Sequence, residues 1–91
     1  MKALPETVSP YRHTATFDTG SVPQALLRSH ATKPGTWGKI VVEHGELTYR
    51  ILAPELEEVL LSPGTHGVVE PEVPHEVVLH PGAAFHVEFY R

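Results

Sequence analysis

The sequence contains no cysteine among its 91 residues, and this absence removes several classes of chemistry. Disulfides, thiol catalysis, iron–sulfur clusters and cysteine-ligated zinc all need the side chain that is missing. A metal ion would therefore have to be held by histidine and carboxylate. Seven histidines are present, a large number for a chain of this length.

Long apolar runs and clusters of basic residues are also missing. No apolar run approaches the roughly 20 residues that a membrane-spanning helix needs, and the first segment, MKALPETVSP, lacks the apolar core of a secretory signal. The formal net charge is -4, with no lysine and arginine cluster to offset it. This balance argues against a nucleic-acid partner. We therefore expect a cytoplasmic protein that binds neither membrane nor nucleic acid.

The composition predicts one all-β domain over residues 1–91, with residues 1–10 as an extended N-terminal arm. Nine prolines and seven glycines imply many turns. Roughly seven or eight short segments rich in β-branched and aromatic residues follow one another, with turn signals about every eight to twelve residues. That spacing favours a β-sandwich or a small antiparallel β-barrel.

Two segments illustrate the local signals. GKIVVEHGELTYRIL, residues 38–52, places two strand-like runs on either side of His44-Gly45, a dipeptide typical of hairpin turns. APELEEVLLSPG, residues 53–64, is compatible with a short helix beginning at Pro54 or with a turn followed by a strand at Val59–Leu61. We favour the strand because a helix of under three turns is marginal.

The closing segment AAFHVEFYR has two different faces if it is a strand. Phe85, Val87 and Phe89 share one face, and His86 and Glu88 share the other. Either set can point into the core, because a register slip of one residue exchanges the two faces. Periodicity alone leaves the direction of Glu88 open.

At this point three stretches resemble a known family. RSHATKPGTWGKIVVEHGELTY, PGTHGVVEPEVPHEV and the closing FHVEFYR are similar to the TehB/YeaR-like small cupin family, which is associated with tellurite resistance. The similarity runs from about Tyr11 to Arg91. It implies a cupin-type jelly roll or β-barrel with a metal centre inside. Two positions depart from the wider cupin pattern: Arg28 stands where a second histidine is expected beside His30, and Glu72 replaces a turn glycine.

The resemblance makes His30, His75 and Glu88 the candidate ligands of a divalent transition metal (Zn, Fe or Ni), with Glu88 facing inward. Two histidines and one carboxylate with open positions suit non-haem Fe(II). Without the resemblance, a histidine that begins a strand is more often a hydrogen-bonded turn residue. Further cavity or rim candidates are Arg28, Tyr49, His66, Glu70 and His86.

Three functions remain open at this stage. The first is a metal-binding cupin that acts as a binding module or stress-response protein towards an oxyanion such as tellurite, or towards another small molecule. The second is a metal-dependent enzyme, such as an Fe(II) oxygenase or an isomerase, and the third is a structural barrel without metal. The negative net charge disfavours an oxyanion unless Arg28, Lys33 or Lys39 lies at the mouth of the site. We also expect a homodimer, because a chain this short leaves sheet edges that need cover.

Overall fold

Short strands separated by turns run along most of the chain in this computed structural model, which describes residues 1–28 and 30–91. A 3-10 helical turn occupies Gln24–Leu27. The strands are β1 (Pro10–His13), β2 (Phe17–Asp18), β3 (Trp37–His44), β4 (Leu47–Ile51), β5 (Glu57–Leu61), β6 (His66–Val69), β7 (His75–Leu79) and β8 (Ala84–Tyr90).

In the described ranges the strands form two antiparallel sheets, which confirms the all-β class. One sheet has the order β1-β8-β3-β6, with β2 also paired to β8, and the other has the order β5-β4-β7. A closed barrel is not found in residues 1–28 and 30–91. Beside the sheets the chain makes isolated bridges, His30 with His75 of β7 and Thr32 with Pro71, where a closed barrel would need a continuous ladder. No helix in the described part of the chain is long and apolar enough to cross a membrane.

The core lies between the two sheets and is built from alternate residues of the strands, as the period of two in a β-strand requires. Ile40 and Val42 of β3 and Phe85 of β8 face Leu47 and Tyr49 of β4, and all five are buried. The inward direction of Phe85 fixes the face of the whole C-terminal strand, because neighbouring residues must point the other way.

The two strands around His44-Gly45 are confirmed, but the hairpin is wrong. β3 pairs with β6 and β8, whereas β4 pairs with β5 and β7, so the turn carries the chain from one sheet to the other. Gly45 has a φ of 68°, and a Cβ atom there would lie 2.9 Å from the Cα of Ala83. The glycine is therefore needed for this crossing.

The strand interpretation of residues 53–64 is confirmed, with β5 beginning at Glu57.

Candidate functional site

His30 and His75 face each other in an isolated antiparallel bridge at the β7 edge of the second sheet. The amide of each donates a hydrogen bond of 2.8 Å to the carbonyl oxygen of the other. Residues directly opposite in an antiparallel pair project their side chains to the same face. The two imidazole rings consequently meet edge to face, with centroids 5.5 Å apart. The predicted pairing of these two histidines in space is thus present.

His75 is the one polar or charged side chain that is buried in the described ranges, with an exposed fraction of 5%. Its Nδ1 lies 3.2 Å from the carbonyl oxygen of Val73, which can only accept, so Nδ1 carries the proton and Nε2 keeps its lone pair in the neutral ring. Burial lowers the pKa of His75, and the nearby His30 lowers it further, against the opposing effect of the Val73 hydrogen bond. The ring is therefore neutral at physiological pH.

The histidine pair lies at the polar edge of a small apolar cavity between the sheets. The volume of this cavity is about 40 Å³, room for about three water-sized groups. Thr14 and Thr32 add hydroxyl groups to the edge, and most of the remaining wall is hydrocarbon. The apolar side chains that line it are Leu26, Ile40, Val69, Val77, Phe85, Val87 and Phe89.

A larger pocket of about 400 Å³ adjoins the cavity and is basic. Arg12, Lys33 and Arg91 line it, and no carboxylate side chain does so among the residues that the structure describes. His30 and Phe89 line both the pocket and the cavity. We call the pocket the basic pocket and the smaller space the apolar cavity.

The arginines of the basic pocket lie over aromatic rings. The guanidinium carbon of Arg12 lies 5.0 Å from the ring centroid of Phe89, and that of Arg91 lies 4.1 Å from the centroid of Tyr11. Such stacking leaves the N–H edges of a guanidinium available for an anion. No ion pair in the described part of the chain involves Arg12, Arg91 or Lys33.

Glu88 does not join the histidine pair, which corrects the expected set of three ligands. Phe85 and Val87 point into the core, so His86 and Glu88 lie on the opposite face of β8. There Nδ1 of His86 is 2.8 Å from a carboxylate oxygen of Glu43, and Nε2 is 3.2 Å from one of Glu88. The hydrogen bond from His86 lowers the pKa of Glu88. His86 is likewise removed from the cavity it was expected to border.

Of the other rim candidates, Tyr49 packs against the histidine pair, with its ring centroid 5.8 Å from that of His75. Tyr49 is a core residue whose hydroxyl donates to the carbonyl oxygen of Val68 at 3.0 Å, and burial raises its pKa. Glu70 lies 3.6 Å from the Nζ of Lys2. His66 and Arg28 are exposed, and neither is among the described residues that line the cavity or the basic pocket.

The side chains around the histidine pair do not fit a transition metal bound within one chain. Sites for such ions usually use three or four protein ligands. Within residues 1–28 and 30–91 there is no group of three or more histidine, aspartate or glutamate side chains placed to hold an ion. The histidine pair supplies two nitrogens, and the rest of the cavity wall is hydroxyl and hydrocarbon.

Sequence reasoning missed most of the basic pocket. Lys33 was named as a residue that could support an anion at the mouth, but Arg12 and Arg91 were not. They stand at opposite ends of the chain and are brought together because β1 pairs with β8. No local spacing signals this, and only the pairing of the terminal segments could have revealed it.

Comparison with known proteins identifies similar chains. A family model described as the TehB-like domain matches residues 12–88. A crystal structure of a protein from Escherichia coli strain K12 has a TM-score of 0.89 and 23% identity, covering 100% of this chain and 97% of that one. At that identity it supports the fold alone.

A second solved structure, TehB from Haemophilus influenzae, has a TM-score of 0.83 and 29% identity. The match covers 93% of this chain and 32% of that protein. The present chain therefore corresponds to about a third of that relative's length. A comparison with curated protein sequences finds no match.

Proposed function

The chain belongs to the TehB-like family, and on that basis we propose that it is a binding module for small oxyanions of the tellurite type, with the basic pocket as the binding site. The observation that carries this proposal is the convergence of Arg12, Lys33 and Arg91 on one pocket, in a chain of net charge -4. The family's association with tellurite resistance gives the oxyanion its class.

The chemistry of the pocket favours an anion. Guanidinium groups offer paired N–H donors that match planar or tetrahedral oxyanions, and Lys33 adds a point charge. The hydroxyl of Thr32 is already bound to the carbonyl oxygen of Thr36 at 2.8 Å, which leaves recognition to the cationic side chains and to His30. No acidic side chain is among the described residues that line the pocket, which supports local attraction despite the negative total charge.

Binding is better supported than catalysis. An enzyme of the expected type would need an acid or base beside a metal. Glu70, Tyr49 and Arg28 are the candidates that the sequence offers for that role. The Tyr49 ring packs against His75, but its hydroxyl donates to a backbone carbonyl. Glu70 lies beside Lys2, and Arg28 is exposed and is not among the described residues that line the cavity.

The test is calorimetric titration with tellurite, sulfate and phosphate at low ionic strength. We expect binding that weakens as salt is added, because the attraction is electrostatic. The double variant Arg12→Gln with Lys33→Gln should lose about tenfold or more in affinity, given the strength of hydrogen bonds to charged groups.

Lys39→Gln is the matched control, because Lys39 lies on β3 and is not among the described residues of the pocket. It removes one positive charge where the double variant removes two, and it should leave the affinity within about twofold of the unchanged chain, as expected for a distant screened charge. Equal losses in the two variants, or no anion binding at millimolar concentration, would refute the proposal.

A further inference from the structure

The basic pocket and the apolar cavity share a wall. His30, Thr32 and Phe89 line both, and Arg12 rests on the ring of Phe89. An anion held by Arg12 therefore lies next to the hydrocarbon wall of the cavity. This juxtaposition is unnecessary for a bare inorganic ion, which gains nothing from apolar contact.

The apolar cavity itself is a poor place for negative charge. Moving an anion from water into hydrocarbon surroundings is costly unless it is paired and hydrogen-bonded. The buried imidazole of His75 is neutral, and its Nε2 presents a lone pair, which repels an anion. The charged part of a ligand must then stay outside, and an apolar part can enter.

We infer that this site also binds a carboxylate with a short apolar tail, an inference that rests on the proposed anion-binding function. The carboxylate lies in the basic pocket against Arg12 and Lys33. The tail passes beside Phe89 and His30 and fills the apolar cavity. A volume of about 40 Å³ accommodates about three carbon-sized groups, which sets the length of the tail.

The experiment is a titration series on the full chain with acetate, propionate, butyrate, pentanoate and hexanoate, with 1-butanol as the uncharged counterpart. Each methylene that enters the cavity should tighten binding by about fourfold. The gain should stop once about three carbons are buried. Affinity independent of tail length, or 1-butanol binding as tightly as butyrate, would overturn the inference.

Two variants test binding of the apolar tail separately from binding of the carboxylate. Val77→Leu adds a methylene at a position that lines the cavity, so it should remove the gain from longer tails and leave acetate binding unchanged. Val59→Leu makes the same change on β5, in a residue packed against the core but not among the described lining residues, and should preserve the gain. Retained tail dependence in Val77→Leu counts against the inference.

The outcomes also distinguish this inference from the proposed function. If tellurite or sulfate binds and tail length has no effect, the proposed anion-binding function is supported and the carboxylate ligand is refuted. If no anion binds, both proposals are refuted. The series on the unchanged chain decides the matter even if a cavity variant does not fold.

Discussion

Nδ1 of His86 lies 2.8 Å from a carboxylate oxygen of Glu43, which joins β8 to β3 on the outer face of their sheet. The same oxygen accepts a hydrogen bond of 2.6 Å from the hydroxyl of Thr16, so the connection between β1 and β2 is tied to the network. Burial lowers the pKa of His86, but the hydrogen bonds and charges of Glu43 and Glu88 outweigh it and raise the pKa. Glu43, Glu88 and His13 lie next to the ring. Tyr90 and Lys39 act on Glu88, and His44 acts on Glu43.

The first prediction concerns the pH dependence of this network. A histidine whose pKa is higher in the folded state stabilises fully below its unfolded pKa and ceases to do so as pH rises through the folded value. His86→Gln should therefore cost most stability near pH 5 and progressively less towards pH 9, measured by urea denaturation. His66→Gln, an exposed change on β6, is the control and should show no such trend. A cost for His86→Gln that is constant with pH would contradict the assignment.

His75 should behave in the opposite direction. Because its pKa is lower in the folded state, its contribution is present above the unfolded value of about 6.5 and is lost as pH falls below it. His75→Gln should make the stability less sensitive to acid between pH 7.5 and 5. Val77→Ala, a buried change in the same strand, should cost about 0.5–2 kcal/mol at every pH in that range. Unchanged acid sensitivity in His75→Gln would show that the ring is not held neutral.

Metal binding by His30 and His75 stays a prediction and can be tested directly. Two imidazoles should hold added Zn²⁺ or Ni²⁺ far more weakly than the about 10–16 kcal/mol of structural zinc sites. The alanine variants at His30 and His75 should each abolish that weak binding, whereas His66→Ala and His44→Ala should retain it. Stoichiometric metal in the chain purified without an affinity tag, measured by elemental analysis, would instead show ligands beyond this pair.

Glu72 offers a test of backbone strain. Its φ is 63°, in the left-handed region that glycine adopts readily and other residues adopt at a cost of about 1–2 kcal/mol. Glu72→Gly should raise the free energy of unfolding by about 0.5–1 kcal/mol, because glycine loses more freedom on folding and offsets part of the gain. Glu72→Ala retains the strain and should give no increase. Equal stabilisation by both changes would point to charge as the cause.

Association with a second copy is also expected, through the outer face of the β5-β4-β7 sheet. Leu60 and Val78 flank Thr48 across this face and are 55% and 40% exposed. A twofold axis along that row would bring Leu60 onto Leu60 and Val78 onto Val78. It would also set Arg50 of one copy opposite Glu46 of the other, but Arg50 is already paired with Glu58 and Glu76 on its own sheet, so apolar contact would carry the association.

The patch is small, so the dimer should be weak and visible only at high concentration. Sedimentation velocity over tens to hundreds of micromolar should show a reversible dimer. Leu60→Lys or Val78→Lys should abolish it, whereas Leu56→Lys, at an exposed leucine outside the row, should not. A monomer throughout that concentration range would contradict the prediction.

Much of the fold was accessible from the sequence, because alternation and turn residues report local conformation. The strands on either side of His44-Gly45 and the strand ending at Leu61 were found in this way. The pairing of the strands could not be predicted, since a two-residue turn with glycine serves a hairpin and a crossing between sheets equally well. The choice depends on which strand competes for each edge, and that is a property of the whole chain.

The sequence likewise predicted some residues of the candidate site and missed others. His30 and His75 were identified, and their facing positions follow from a single backbone pairing. The direction of Glu88 was undecidable, because both faces of β8 carry groups that can be half-buried. Arg12 and Arg91 were invisible, because the basic pocket exists only where the first and last strands lie side by side.

The position of β8 also has a consequence in time. This strand occupies the middle of its sheet and pairs with β1, β2 and β3, although the ribosome makes it after all of them. At about 5–20 residues per second, the earlier strands wait several seconds without their central neighbour. The sheet, and with it the arginine of β1 that lines the basic pocket, can assemble only after residue 90 has left the exit tunnel. Until then the emerging segment presents apolar strand edges that chaperones recognise.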